Sequence, residues 1–186
     1  MGLFKINLTP IKDLKIIDYH SHKDKRGFFN KIFSQNNMKS LLSGKLIKQI
    51  NHTYTKKKGT VRGLHFQYPP FSEIKIITCL KGKVWDVAVD LRKNSPTFLN
   101  YYATILTEKK FKSYLIPEGF AHGFQTLTSD CEILYFHTEE YNKKSEGAIN
   151  ALDNQIKIKW PENISERSDR DHNLKRIDKN FKGILL

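Results

Sequence analysis

Lys75-Ile-Ile-Thr-Cys-Leu80, Lys81-Gly82 and Val84-Trp-Asp-Val-Ala-Val-Asp-Leu91 carry the clearest structural signal in the chain. Trp85, Val87, Val89 and Leu91 recur at every second residue between Asp86, Ala88 and Asp90, a period of two that a β-strand places on one face. The two segments are predicted to form a hairpin turning at Lys81-Gly82, its second strand packed on one face only.

Similar segments extend outward in both directions. Towards the C-terminus, Asn94 to Thr97 reads as a turn, Phe98 to Leu106 as a strand, and Phe111 to Ile116 as a strand ended by Pro117-Glu118-Gly119. Ala121 to Leu127 continues the series, and Cys131 to Tyr141 gives a strand whose odd face carries Ile133, Tyr135 and His137. Towards the N-terminus lies Gly59-Thr-Val-Arg-Gly-Leu-His-Phe-Gln-Tyr-Pro-Pro70, in which strict alternation puts His65 and Gln67 on one face and Arg62 on the other. Leu46 to Tyr54 is a strand with Gln49 and Asn51 on a common face. Ser34 is a plausible N-cap for a short helix reaching Leu42 and stopping at Gly44. His20 to Arg26 is a polar loop, and residues 3 to 19 supply one or two edge strands burying Leu14, Ile16 and Ile17. Past Asn142 the chain is polar until Ile156, Ile158 and Trp160, a brief alternating strand stopped by Pro161. The charged stretch from Glu162 to Leu186 has the composition of a mobile tail. Short strands at this spacing, with turns between them, point to an all-β antiparallel sandwich or barrel.

A length of 186 residues without a Pro- or Gly-rich linker suits one domain, residues 1–186. No apolar run nears the roughly 20 residues of a membrane helix. The N-terminus lacks the pattern of a secretory signal, and Cys79 and Cys131 are too few for a disulfide framework, so a cytoplasmic protein with free thiols is expected. The net charge of +13, from 32 Lys and Arg against 19 Asp and Glu, favours an anionic partner. The lysines are scattered apart from Lys56-Lys57-Lys58, which fits a solvated surface better than a nucleic-acid footprint.

The histidines lack the spacing of a zinc site, and no Walker loop, Gly-x-Ser-x-Gly elbow or dinucleotide-binding glycine pattern is present. What remains is metal-free acid-base chemistry, which needs a base tunable near neutral pH, an acid across the substrate and a cation for developing negative charge. His65, Tyr135 and Lys75 fit those three roles. Each also has a structural alternative: a hydrogen-bonded core histidine, a core tyrosine and a surface lysine.

Arg62-Gly-Leu-His-Phe-Gln67 with Pro69-Pro70, Lys75, Gly82 to Arg92, Ser95-Pro-Thr-Phe98, Ile116 to Phe124 and Trp160-Pro161 resemble the dTDP-4-dehydrorhamnose 3,5-epimerase family, from about Asp24 to about Leu174. The resemblance implies a cupin-type antiparallel β-barrel, or jelly roll, with short peripheral helices. It also implies a homodimer with no metal or cofactor and neither a nucleic-acid nor a membrane partner. The implied substrate is a nucleotide-diphosphate sugar, an NDP-4-keto-6-deoxyhexose whose ketone acidifies the protons on C3 and C5, in deoxysugar synthesis for a surface polysaccharide. By the same resemblance His65 is the base, Asp169 its partner, Tyr135 the acid and Lys75 the enolate-stabilising cation. The C-terminal segment 162–186 is thereby implied to fold back on the site. Arg26, Phe29, Gln49, Asn51, Arg62, His122 and Tyr141 fall where the family lines the cleft for the diphosphate and sugar. Lys31 stands where the family commonly has a glutamate that helps hold the nucleoside, which leaves the nucleotide open. Relatives acting at C3 alone or C5 alone use the same groups; a 3,4-ketoisomerase on a similar barrel and a non-catalytic cupin binding an anionic sugar are further alternatives.

Overall fold

In a computed structural model, which describes residues 4–186, two antiparallel sheets face one another. The first has the strand order β1 (Phe4–Leu8), β2 (Lys15–Tyr19), β10 (Lys112–Ile116), β7 (Lys75–Lys81), β12 (Cys131–His137), β5 (Gln49–Thr55). The second has the order β13 (Glu146–Ala148), β6 (Val61–Gln67), β11 (Phe120–Thr126), β8 (Lys83–Asp90), β9 (Tyr101–Thr107). A separate hairpin pairs β3 (His22–Asp24) with β4 (Gly27–Phe29) where the sequence suggested a polar loop. One short helix, α1 (Gln35–Met38), begins after Ser34 as expected. The all-β antiparallel architecture expected from the strand spacing is borne out, as is the cupin-type jelly roll that the family resemblance implies. Residue 3 of the expected N-terminal edge strand lies outside the described residues.

Ile77, Cys79, Val84, Ala88, Leu106, Tyr114, Phe124 and Ile133 fill the space between the sheets. The outer face of the first sheet, including Ile17, Ile76, Leu115 and Phe136, is closed by Met38 and Leu42 from the α1 region. Val87, Val89 and Leu91 point away from the interior and pack under Ile156, Ile158, Trp160, Ile177, Phe181 and Ile184.

This last cluster corrects three expectations. Strand β8 is packed on both faces: the C-terminal segment covers Val87, Val89 and Leu91, while Asp86 and Asp90, on the face expected to be wet, are fully buried on the side that Ala88 turns to the barrel interior. Ile156, Ile158 and Trp160 form no strand; they serve as apolar plugs of an irregular cover. Burying Ile156 and Ile184 contributes roughly 1.5–3 kcal/mol each, which helps hold a segment whose charged composition alone suggests mobility. The lysine run contributes as well: Lys57 and Lys58 pair with Glu166 and Glu162 of the same segment, at 3.6 and 2.9 Å.

Strands β7 and β8 do not form the expected hairpin. The chain changes sheets between them at Gly82, whose φ is +80°, so β7 pairs with β10 and β12 while β8 pairs with β11 and β9. Local alternation marks both strands but is silent on which neighbours they choose.

Candidate active site

The stretch Gly59 to Pro70 supplies β6, and its alternation breaks once. His122 is opposite His65 and Gly123 is opposite Gly63, so Leu64 is the extra residue of a β-bulge. Leu64 is fully buried in the outer cluster and exchanges both backbone hydrogen bonds with Ile149. The bulge resets the phase of the strand, and Arg62 and His65, expected on opposite faces, both line one cavity. Gly63 makes the bulge possible: its φ is +113°, and a Cβ there would lie 2.7 Å from the His122 carbonyl oxygen and 2.8 Å from Gly123 Cα. Backbone strain of this kind costs about 1–3 kcal/mol. Gly63→Ala is therefore expected to lower Tm by roughly 2–12 °C for a chain of this size, and an unchanged thermal unfolding curve would refute the assignment.

The cavity, about 680 Å3, opens between the two sheets. His65, on β6, is partly open to it, with about a third of its side chain exposed. Its Nε2 lies 2.7 Å from Asp171 Oδ1, and the Gly63 backbone N–H donates to Asp171 Oδ2 at 3.0 Å. Both carboxylate oxygens are thus occupied. With the ring proton held on Nε2, Nδ1 carries the free lone pair. Burial opposes the charge of Asp171, but the hydrogen bonds from His65 and Gly63 outweigh it and hold the carboxyl below its ordinary range.

The residue expected to partner His65 was Asp169, and the structure corrects this by two positions. Asp169 and Asp171 both sit in a single helical turn, α2 (Asp169–His172), which Ser168 caps by accepting from the Asp171 N–H at 3.1 Å. Two residues on a helix are separated by about 200°, so one carboxylate faces the barrel and the other faces solvent. Asp171 is buried and Asp169 exposed. Sequence reading saw no helix beyond Gly44 and therefore had no phase with which to choose between them.

Tyr135 and His137 approach from the facing sheet, on β12. The Tyr135 ring stacks on His137, with 6.1 Å between centroids, and meets His122 edge-on at 6.0 Å. Burial keeps the Tyr135 hydroxyl protonated well beyond the ordinary phenol range. Lys75, at the start of β7, is almost fully buried; its Nζ donates to the His65 carbonyl at 3.3 Å and lies 3.2 Å from Glu73 Oε1. His122 is held at 2.8 Å by Asp86, whose carboxyl is pushed up by burial despite that partner. Gln49, Asn51 and Tyr141 line the cavity as expected, and Tyr141 Oη donates to Glu146 at 3.1 Å. Arg62 donates from Nε to Thr55 Oγ1 at 3.0 Å, and Lys56, Arg167 and Arg170 add positive charge to the lining.

Arg26 and Phe29 do not join this cavity. They sit on the β3–β4 hairpin, where Arg26 pairs with its own Asp24 at 2.6 Å and Phe29 is 64% exposed. That hairpin forms its own two-stranded sheet, so no ladder draws it over the barrel mouth. Sequence reasoning also missed Glu73, Glu146, Arg167 and Arg170 as lining residues. Only the position of Glu73, two residues before Lys75 and so on the same side of an extended chain, could have pointed to it.

A family model described as dTDP-4-dehydrorhamnose 3,5-epimerase matches residues 8–179. The chain belongs to the dTDP-4-dehydrorhamnose 3,5-epimerase family. As a member it is an isomerase, and the epimerase expected from the ordered motifs is borne out. It is similar to the dTDP-4-dehydrorhamnose 3,5-epimerase of Salmonella typhimurium, 41% identical over 165 residues covering 88% of this chain and 90% of that one. The Shigella flexneri enzyme of the same name is 39% identical over 166 residues, 89% of this chain and 91% of that one. Among solved structures, a dTDP-6-deoxy-D-glucose-3,5-epimerase from Legionella pneumophila in complex with dTDP-4-keto-L-rhamnose superposes with a TM-score of 0.89. Its sequence is 36% identical to this one, and the match covers 97% of this chain and 98% of that one.

Proposed function

We propose that this protein inverts C3 and C5 of a dTDP-4-keto-6-deoxyhexose by proton removal and return, without metal or cofactor, in a deoxysugar pathway of the cytoplasm. The observation that carries the reading is the pairing of an oriented imidazole on one sheet with a protonated phenol on the facing sheet across one cavity. Epimerisation needs a proton to leave one face of a carbon and another to arrive at the opposite face, and a base and an acid on opposing walls provide that geometry.

In this reading His65 Nδ1 takes the proton beside the C4 ketone while Asp171 stabilises the imidazolium that forms. The Lys75 ammonium holds the charge that gathers on the ketone oxygen, a contribution of about 3–4 kcal/mol in comparable sites. Tyr135 then delivers a proton to the other face. Arg62, with Arg167 and Arg170, receives the diphosphate, a task suited to the paired donors of a guanidinium. Gln49, Asn51, His122 and Tyr141 surround the sugar. One cupin-type unit spans residues 1–186, with segment 162–186 folded back to complete the site. The chain works as a homodimer in which the exposed hairpin carries Arg26 and Phe29 to the cavity of a second copy. Analytical ultracentrifugation showing only monomer at micromolar concentration would remove that part of the reading.

The decisive experiment is incubation with dTDP-4-keto-6-deoxyglucose in heavy water, following C3 and C5 by proton NMR. Loss of both signals is expected. Loss of one alone names a single-carbon epimerase, and retention of both with dTDP, GDP and CDP substrates overturns the reading.

A further inference from the structure

We propose that Glu73 is the positioning residue of this site, fixing Lys75 with one carboxylate oxygen and, through His137, the amides of Asn51 and Gln49 with the other. The inference deepens the epimerase reading and rests on it. Lys75, Glu73 and His137 form a buried cluster, their side chains only 9, 8 and 10% exposed. Lys75 Nζ lies 3.2 Å from Glu73 Oε1, and His137 Nδ1 lies 2.7 Å from Glu73 Oε2. On its other side, His137 Nε2 lies 3.3 Å from Asn51 Nδ2. Asn51 Oδ1 accepts from Gln49 Nε2 at 3.0 Å, and Gln49 Oε1 accepts from the Tyr141 backbone N–H at 2.8 Å.

These contacts have one direction. An ionised carboxylate only accepts, so Glu73 requires the His137 proton on Nδ1. With the ring neutral, Nε2 is then an acceptor, and Asn51 must offer it the amide nitrogen. That choice turns Asn51 Oδ1 to Gln49 and the Gln49 oxygen to the Tyr141 N–H. Every donor in the chain thus points towards Glu73, both amide oxygens are used, and each amide nitrogen keeps one N–H free. The wall contributed by β5 therefore offers donors to the cavity and suits the acceptor oxygens of a keto sugar or a phosphate.

The arrangement also favours a charged Glu73 despite its depth. Burial opposes ionisation, but Lys75 and His137 together bring the carboxyl below its ordinary range. A half-satisfied buried network is costly, so removing Glu73 releases both ends at once.

The test compares wild type with Glu73→Ala, Glu73→Gln, Lys75→Ala, the Glu73→Ala/Lys75→Ala double variant and His137→Phe. Deuterium incorporation into dTDP-4-keto-6-deoxyglucose is measured alongside the histidine 15N NMR spectrum of substrate-free protein. E73A is expected to lose about 100-fold or more in kcat, the scale of losing one oxyanion donor, and the double variant to lose no more than K75A. E73Q, whose amide oxygen still accepts from Lys75, should recover tenfold or more of the E73A loss. His137 should appear as the Nδ1–H tautomer in wild type and shift towards Nε2–H in E73A. The proposal is overturned by E73A within twofold of wild type, by losses that multiply in the double variant, or by an Nε2–H His137 in wild type. If E73A does not fold, H137F decides: KM should rise about fivefold, the scale of one lost hydrogen bond, and an unmoved KM overturns the proposal. A wild-type protein that exchanges no deuterium overturns the epimerase reading instead, whereas the tautomer is read without substrate and judges the network on its own.

Discussion

His65→Asn is expected to lower kcat/KM by about 10²–10⁴-fold, the range that a positioned general base contributes, while dTDP affinity stays within a few-fold of wild type. Asparagine fills the near half of the imidazole's place but has no basic nitrogen and does not reach Asp171 as Nε2 does, so the substitution removes the base while leaving the strand that carries it unchanged. The side chain lies at the cavity wall, partly open, on a strand held on both sides by β11 and β13, so little core packing depends on it. Isothermal titration of dTDP and deuterium exchange at C3 and C5 separate the two effects. Wild-type exchange rates in the Asn variant would show that another group is the base, and lost dTDP binding would show that His65 serves the cavity's structure.

The second large effect is a contrast between neighbours. Asp171→Asn is expected to cost about 10²–10⁴-fold in kcat, since an oriented histidine that loses its carboxylate loses both its tautomer and the partner of its imidazolium. Asp169→Asn, two residues away and exposed, should remain within about twofold in rate and about 0.5 kcal/mol in stability. The Asp171 pair also predicts a pH dependence of stability. The folded state lowers the carboxyl's pKa relative to the unfolded chain, where it is near 3.9. Its contribution is therefore present above that value and is lost as the pH falls through the folded pKa. Thermal unfolding followed from pH 6 down to pH 3 should show wild type losing more stability than D171N. Parallel curves, or an Asp169 variant as damaged as the Asp171 one, would undo the assignment.

Much of the site was legible because its residues sit on strands with strong local patterns. His65, Gln49, Asn51, Tyr135 and Lys75 occupy β6, β5, β12 and β7, and each lines the cavity as expected. The failures have physical causes. Arg62 was placed on the wrong face because one extra residue at Leu64 resets the alternation, and a bulge depends on the opposing strand rather than on its own sequence. Asp171 was missed because its helix is one turn long, too short to show a period. Arg26 and Phe29 were expected at the cleft from family likeness alone, and in this chain they stand on a separate hairpin.

The sequence by itself determined the all-β class, most strands of the two main sheets and the acid-base vocabulary of His65, Tyr135 and Lys75, because side-chain alternation and residue chemistry are local properties. Tertiary structure decided which strands pair, as when Gly82 sends β7 and β8 into different sheets. It also decided that a charged C-terminal segment becomes a cover, and that Asp171 and Glu73 become the carboxylates that orient the site. These outcomes depend on burial shared between residues distant in sequence. His65 and Asp171 are separated by more than half the chain, and only the closed barrel brings them within a hydrogen bond.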